Sequence, residues 1–244
     1  MFDKKVLDRI EVIEQNCIRI DGEKVIYTDP LGIKGAPHDA DVILFTHPHL
    51  DHFSPRNVKK LLKEDTVLAA PKSMAALCSL LTGRKVMPLL PDQSTEICGI
   101  PIRTVIAYNK MKPFHPKPMK WLGYIITIEE TDIYISGDTD ITEESSSVSC
   151  DIAMLPVGGF YTVDPEQAAE LAGAIAPHTA IPVHYGKLLG GEDAPERFAK
   201  ALDSSIEAEI RPSAYSMILV KMYARSAALI VLCGLLGYLI GKMI

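Results

Sequence analysis

The sequence predicts an α/β fold, and three observations carry that reading. Short runs that are continuously apolar or alternate apolar with polar, bounded by Gly, Asp or Pro, read as strands. Segments with apolar residues at helical spacing and a capping residue in front read as helices. The two kinds interleave along most of the chain, as in a fold that layers helices on sheets.

Taken in order, strands are expected over 10–20 (IEVIEQNCIRI), 24–30 (KVIYTDP) and 41–47 (DVILFTH). A helix follows in SPRNVKKLLKED, with Ser54 as N-cap, Pro55 in the first turn, and Val58, Leu61 and Leu62 on one face. TVLAA, from Thr66, reads as a strand, PKSMAALCSLL as a helix and KVMPLL as a strand. In the second half IRTVIAY, WLGYIITIEE, TDIYISGD and DIAMLPV read as strands. DPEQAAELAGAIA is a helix capped by Asp164 with Pro165 after it, TAIPVHYG a strand running into a loop, and APERFAKAL a last helix.

With 48% hydrophobic residues among 244, the chain can bury one generous core, so one main domain over 1–210 is expected. A formal net charge of -6 argues against a dedicated nucleic-acid binder, which needs a positive field to capture phosphates. Five cysteines (Cys17, Cys78, Cys98, Cys150, Cys233) stand singly with no CxxC, which disfavours a disulfide framework or a thiolate zinc cluster and favours a reducing compartment. The charged N-terminal stretch lacks the apolar core of a signal peptide. At the other end, RPSAYS opens a linker over 211–225, and 226–241 (SAALIVLCGLLGYLIG) carries no charge between Lys221 and Arg225 before it and Lys242 after it. A membrane-spanning helix needs about 20 apolar residues, about 17 at the short limit. The expectation is a C-terminal hydrophobic helix over 226–244, a transmembrane anchor that holds the main domain on the cytoplasmic face of a membrane. Gly237 and Gly241 form a GxxxG suited to close helix pairing there.

The chemistry centres on THPHLDHF, which places His47, His49, Asp51 and His52 within six positions of a chain that has seven histidines. At the end of a buried strand, residues two apart point the same way, so His47 and His49 can aim at one point. Pro48 stiffens the approach where no amide donor is needed. Asp51 and His52 fall where the chain turns towards the helix, near a neighbouring point that suits a second ion. Imidazole nitrogen and carboxylate oxygen suit zinc, and a catalytic ion takes few protein ligands so that water completes its shell. Three further residues sit in or beside strand-end loops: His115, Asp138 and His184. Each singly also reads as something plainer, a surface histidine, a turn carboxylate and a hydrogen-bonded histidine. Loops at one sheet edge converging on one site favour the joint reading.

THPHLDH, the isolated His115, the GDT containing Asp138 and the PVHYG containing His184, in that order, resemble the metallo-β-lactamase superfamily. YTDP, AYN before FHPK, IYISGDTD, MLPVGG and IPVHYG look like its branch of small metal-dependent hydrolases related to the ascorbate-6-phosphate lactonases, and the resemblance covers about residues 8 to 210. It implies a four-layer αββα sandwich with a binuclear site at the sheet edges. His47, His49 and His115 would hold one divalent ion, Asp51, His52 and His184 the other, and Asp138 both; zinc is the first expectation, manganese or iron the alternatives. His49 stands where the oxygen-reducing di-iron branch usually has a carboxylate, which favours hydrolysis. His38 and His178 match no motif position and read as structural or surface residues, and Asp29 as a strand-end structural carboxylate.

The expected activity is hydrolysis of a small ester, lactone or phosphoester by a hydroxide that bridges the two ions, with Asp51 or Asp138 taking a proton. Lysines around His115 (Lys110, Lys112, Lys117, Lys120), with Tyr161, Tyr185 and Lys187, suggest an anionic small-molecule substrate; Lys117, Tyr161 and Tyr185 are the contacts singled out. The alternatives are a nuclease or phosphodiesterase of the same superfamily, and a non-catalytic, membrane-tethered metal-binding protein. A homo-oligomer is compatible with the sequence.

Overall fold

A computed structural model describes residues 4–186 and 190–211. The expected anchor, and the linker apart from Arg211, lie outside the described residues. Among the described residues, no helix is long and apolar enough to cross a membrane.

Two sheets form the centre. In the first, β1 (Ile10–Glu14), β2 (Cys17–Asp21), β3 (Val25–Thr28), β4 (Ala40–Leu44), β5 (Leu62–Pro71) and β6 (Val86–Leu89) lie side by side in chain order. β1 to β3 pair antiparallel, and β3 to β6 run parallel. The second sheet contains β7 (Ser94–Ile97), β8 (Ile100–Ile106), β9 (Leu122–Ile128), β10 (Thr131–Ile135), β11 (Ile152–Pro156), β12 (Thr179–Val183) and β13 (Glu207–Ala208), again neighbours in chain order. Its first four strands are antiparallel and the rest parallel.

The side-chain period of two decides what lies between the sheets. Val42 and Leu44 of β4 share a buried apolar cluster with Ile20, Ile26 and, from the second sheet, Leu122, Tyr124, Ile126, Ile133, Ile135 and Met154. Each fully buried aliphatic side chain there contributes about 1.5–3 kcal/mol. Residues of opposite parity face outward to helices. Tyr134, Ala153 and Leu155 pack with Ala168, Leu171, Ala172 and Phe198 of α4 (Pro165–Ile175) and α5 (Ala194–Ala201). On the first sheet, α2 (Lys72–Thr82) packs on β5 and β6 and touches α1 (Pro55–Leu61). The layers therefore run helix, sheet, sheet, helix.

Local signals explain most elements. Ser54 caps α1 by accepting from the Asn57 amide, and Asp164 and Gln167 form a reciprocal capping box at α4. The structure departs from expectation in three places. The 10–20 run is two strands, because Gln15 takes φ +51 and turns the chain back on itself. Helix α1 stops at Leu61, and Leu62, expected on its face, starts β5 by pairing with Ala40. The short β7, β13 and the four-residue α3 (Glu143–Ser146) were not foreseen, each too short to show a period.

Candidate metal centre

The donors gather at the ends of parallel strands. THPHLDH follows β4, His184 follows β12, and Asp138 follows β10 by way of Ser136 and Gly137. Gly137 stands at φ +63, and a Cβ there would lie 3.1 Å from the Thr46 Cβ. Only glycine lets the loop carrying Asp138 press this closely on the loop carrying His47. His115 arrives from the long loop between β8 and β9, whose return is fixed by the Asn109 amide donating to the His115 carbonyl at 2.7 Å.

All of the expected donors converge. His47, His49 and His115 form one group able to hold a metal ion, Asp51, His52 and His184 another, and His47, His52 and Asp138 a third that joins them. His47 Nε2 lies 3.0 Å from His49 Nδ1 and 3.3 Å from His115 Nε2, while His52 Nε2 lies 3.0 Å from His184 Nε2. Between the two sets, Asp138 turns Oδ2 to His115 Nε2 at 3.2 Å and Oδ1 to His52 Nε2 at 3.3 Å and His184 Nε2 at 3.5 Å. Asp51 Oδ2 is 3.3 Å from His184 Nε2. All of these donors are buried except His49, which is half-buried and marks the open side.

The outward nitrogens of three of these rings, those of His47, His52 and His115, are held by the protein, which turns the inward ones towards the ligand positions. His52 Nδ1 donates to Asp29 Oδ2 at 2.8 Å, and His115 Nδ1 to Asn109 Oδ1 at 2.8 Å. His47 Nδ1 donates to Thr46 Oγ1 at 3.0 Å, whose own hydroxyl donates to Asp29 Oδ2 at 2.6 Å. Such outer partners fix tautomer and ring orientation in metal sites. Asp29 thus serves both groups, His52 directly and His47 through Thr46. It also accepts from the Thr46 amide at 2.8 Å and from Asn16 Nδ2 at 2.9 Å. Asp29 is structural, as the sequence suggested, but its structure is that of the centre. Asn109, Thr46 and Trp121 carry no role in the sequence reading, although Asn109 lies in the quoted AYN and Thr46 opens THPHLDH. Trp121 packs its ring 5.1–5.5 Å from those of His47, His49 and His115.

The donor set fits divalent metal. Asp138 Oδ1 and His184 Nδ1 are buried without a hydrogen-bond partner, which is costly unless something else satisfies the cluster. His184 also holds φ +57, a strained conformation for a non-glycine residue, pinned by its amide donating to the Gln15 carbonyl at 3.2 Å. Burial tends to raise the Asp51 carboxyl, but His52 and His184 outweigh it and bring it down to about 2. Asp138 is likewise held well below the usual carboxylate range, since His184 and His52 overcome its burial. Burial, reinforced by neighbouring imidazoles, pushes His49 down to about 4 and lowers His47. His52 moves the other way: burial disfavours its charge, but Asp138, Asp51 and Asp29 raise it well above the ordinary value. His184 is raised too, against its burial, chiefly by Asp138.

A raised imidazole pKa means a proton retained to higher pH, and a protonated imidazole cannot ligate. On acidification, metal is therefore expected to leave the Asp51, His52 and His184 group before the His47, His49 and His115 group. Metal retention against a chelator along a falling pH series shows two separated losses if this is right, and a single concerted loss if it is wrong.

The residues singled out for substrate are placed differently from one another. Lys117 Nζ is engaged by Glu144 at 2.7 Å and the Tyr108 hydroxyl at 3.2 Å, and lies over the Tyr108 ring. Lys112 Nζ is taken by Asp140 at 2.7 Å and the Thr162 carbonyl at 2.6 Å. The Tyr185 hydroxyl donates to the Arg211 carbonyl. Tyr161 is tied to the centre by its carbonyl, which accepts from Asn109 Nδ2 at 3.0 Å. His38 bonds the Leu62 carbonyl, His178 is 3.8 Å from Asp151, and neither belongs to a metal-capable group.

Two facing sheets with a buried His/Asp cluster at their strand ends define the class: a metallo-β-lactamase-type fold with a metal-capable centre. The β-lactamase superfamily domain matches residues 9–184, and the chain belongs to that superfamily, among its UPF0173 metal-dependent hydrolases. A relative of that description from Thermoplasma acidophilum is 30% identical over 206 residues, spanning 78% of this chain and 88% of its own. One from Methanosphaerula palustris is 25% identical over 204 residues, 80% of this chain and 91% of its own. Among solved structures, a protein from Parabacteroides distasonis described as a candidate metal-dependent hydrolase superposes with a TM-score of 0.71 at 29% identity, covering 84% of this chain and 92% of that one.

Proposed function

We propose that this protein hydrolyses a small ester, lactone or phosphoester with two divalent ions, zinc by preference, divided between the two donor groups. One observation carries the proposal: the Asp138 carboxylate is split, Oδ2 towards His115 and Oδ1 towards His52 and His184. A single-ion site has no use for a carboxylate placed between two sets of imidazoles. Thiolate ligation, usual in closed structural zinc sites, plays no part in either set.

When bound, the ions would bring a water's pKa from 15.7 to about 7 and polarise the substrate's carbonyl or phosphoryl oxygen. The chain's own residues do the rest. Asp29, Thr46 and Asn109 hold the rings of His52, His47 and His115 by their outward nitrogens, which turns the inward nitrogens towards the ligand positions. Trp121 walls off three of those rings, and burial of the donors keeps the surroundings at low dielectric, where charge stabilisation is strongest. In hydrolysis the water oxygen joins the carbonyl carbon or the phosphorus, the bond to the leaving oxygen breaks, and that oxygen takes a proton. Asp51 is the carboxylate suited to relay the proton: its Oδ2 faces His184, whereas both oxygens of Asp138 are directed to imidazoles. Its depressed pKa keeps it ionised, so it serves as a transient carrier that gives the proton up again rather than as a strong base.

The test is to strip the protein of metal, titrate zinc, manganese and iron(II) back, and follow hydrolysis of lactone, carboxylic ester and phosphodiester probes at each stoichiometry. Turnover that appears only as the second equivalent binds is the expected result. Two tightly bound ions with no turnover across the panel would point to a metal-binding protein instead.

A further inference from the structure

The metal donors fix where a bond breaks, and the surface around them decides what is attached to that bond. That surface carries a cluster of aromatic rings. Phe114 immediately precedes His115, and its ring lies 4.5 Å from that of Tyr161 at 69° and 5.4 Å from that of Phe160. Phe160 and Tyr161 meet edge to face at 4.8 Å. The cluster is tied to the centre through Asn109, which binds His115 Nδ1 with its carbonyl oxygen and the Tyr161 carbonyl with its amide. The Val163 amide then donates to the carbonyl of Thr139, the neighbour of Asp138.

Phe160 is 71% exposed and holds φ +38. A bulky side chain in the left-handed region costs strain that glycine would avoid, and an exposed ring recovers little of that by burial. Strained, exposed aromatic residues beside a reactive centre are characteristic of ligand contact. Leu50, between His49 and Asp51, is 55% exposed, and Met111, in the His115 loop, 93%. By contrast, two of the lysines read as anion contacts are already held by carboxylates: Lys117 by Glu144 and Lys112 by Asp140.

We infer that Phe114, Phe160 and Tyr161 form the specificity surface of the centre and receive a flat apolar group, an aromatic ring above all, carried by the ester, lactone or phosphoester that is cleaved. This rests on the hydrolytic reading of the metal site. Offset or edge-to-face stacking on such a surface, added to the apolar area covered, is expected to favour an aromatic ligand roughly tenfold or more.

A binding measurement reads the surface without turnover. Calorimetry of phenylacetate and acetate on the metal-loaded protein should show phenylacetate bound at least tenfold more tightly. Phe160→Ala and Phe114→Ala should erase most of that ratio, with metal content unchanged, and Phe160→Tyr should keep it. Phe160→Gly separates fold from recognition: it should lose the ratio as the alanine variant does, yet melt no lower, because glycine adopts the positive φ freely. Equal affinity for the two acids in the parent protein overturns the inference, as does a ratio that survives in both alanine variants. The hydrolytic reading is judged separately, on a phenyl-substituted and a methyl-substituted γ-lactone. Preference for phenylacetate with neither lactone cleaved defeats that reading for lactones and leaves the aromatic surface standing; cleavage of both with no binding preference does the reverse.

Discussion

Replacing Asp138 by alanine is expected to remove metal and hydrolysis together. Among the described residues this carboxylate stands between the two imidazole sets, with Oδ2 3.2 Å from His115 Nε2 and Oδ1 3.3 Å from His52 Nε2. Without it, His47, His52, His115 and His184 would bring bound cations close together with no intervening negative charge, so their mutual repulsion falls on the remaining donors. Loss of an outer partner of a metal ligand costs about 10–100-fold in affinity or activity, and loss of this inner donor should exceed that. Asp138→Asn makes the forecast sharper. The amide keeps the shape and one ligating oxygen while its NH2 cannot ligate, so one ion should be retained and the other lost. Metal-to-protein ratios by plasma emission, read alongside rates on a lactone probe, check both variants. An Asp138→Ala protein that turns over at the parent's rate with its metal stripped would sink the assignment.

The second large effect is expected at Asp29, which touches no proposed ligand position directly except through hydrogen bonds. It accepts from Asn16 Nδ2, from the Thr46 amide, from the Thr46 hydroxyl and from His52 Nδ1, all fully buried. Asp29→Ala strands these donors, and each buried donor left unsatisfied costs about 1–3 kcal/mol. Partial relaxation should leave a net loss of roughly 3–5 kcal/mol, the range for breaking a buried charged network. Metal affinity should fall about 10–100-fold as well, because the His52 ring loses its orienting partner and His47 its relay through Thr46. Urea unfolding of the metal-free variant isolates the first effect, and chelator competition of the refolded, metal-loaded variant the second. If metal-free stability were unchanged, the hydrogen-bond network would be far weaker than its geometry implies.

How much of this was readable in the chain depends on the range over which each signal acts. THPHLDH was legible because its donors are crowded within one turn of backbone, and such crowding of imidazoles has few other causes. His115, Asp138 and His184 singly were ambiguous; what joins them is the meeting of loops that are far apart in sequence. Asn109 is six residues from its partner His115 and Asp29 is twenty-three from His52, distances at which sequence gives no register between loop residues. Lys117 shows a second limit of the sequence. Its charge beside His115 suggested recognition of an anion, and the loop also brings it onto Glu144, whose carboxyl it lowers to about 2. A charge in a sequence says nothing of the countercharge that folding brings to it.

The strand boundaries divide in the same way. β4 and β12 were visible as apolar runs because parallel strands in this fold are covered on both faces and tolerate no polar alternation. The division of 10–20 into β1 and β2, and the early end of α1, were not visible. The first turns on Gln15 at positive φ, whose carbonyl is held by the His184 amide from another sheet; the second on Leu62 pairing with Ala40. By itself the sequence determined the interleaving of strands and helices and the metal-capable crowding in THPHLDH, because periodicity and donor chemistry are local properties; His115, Asp138 and His184 joined it only through the family resemblance. The tertiary structure decided how Asp138 is shared between two sets of imidazoles, which buried groups hold the rings, and which exposed rings border the centre. Those depend on where separate strand ends meet, and that is fixed by the packing of two sheets across one core.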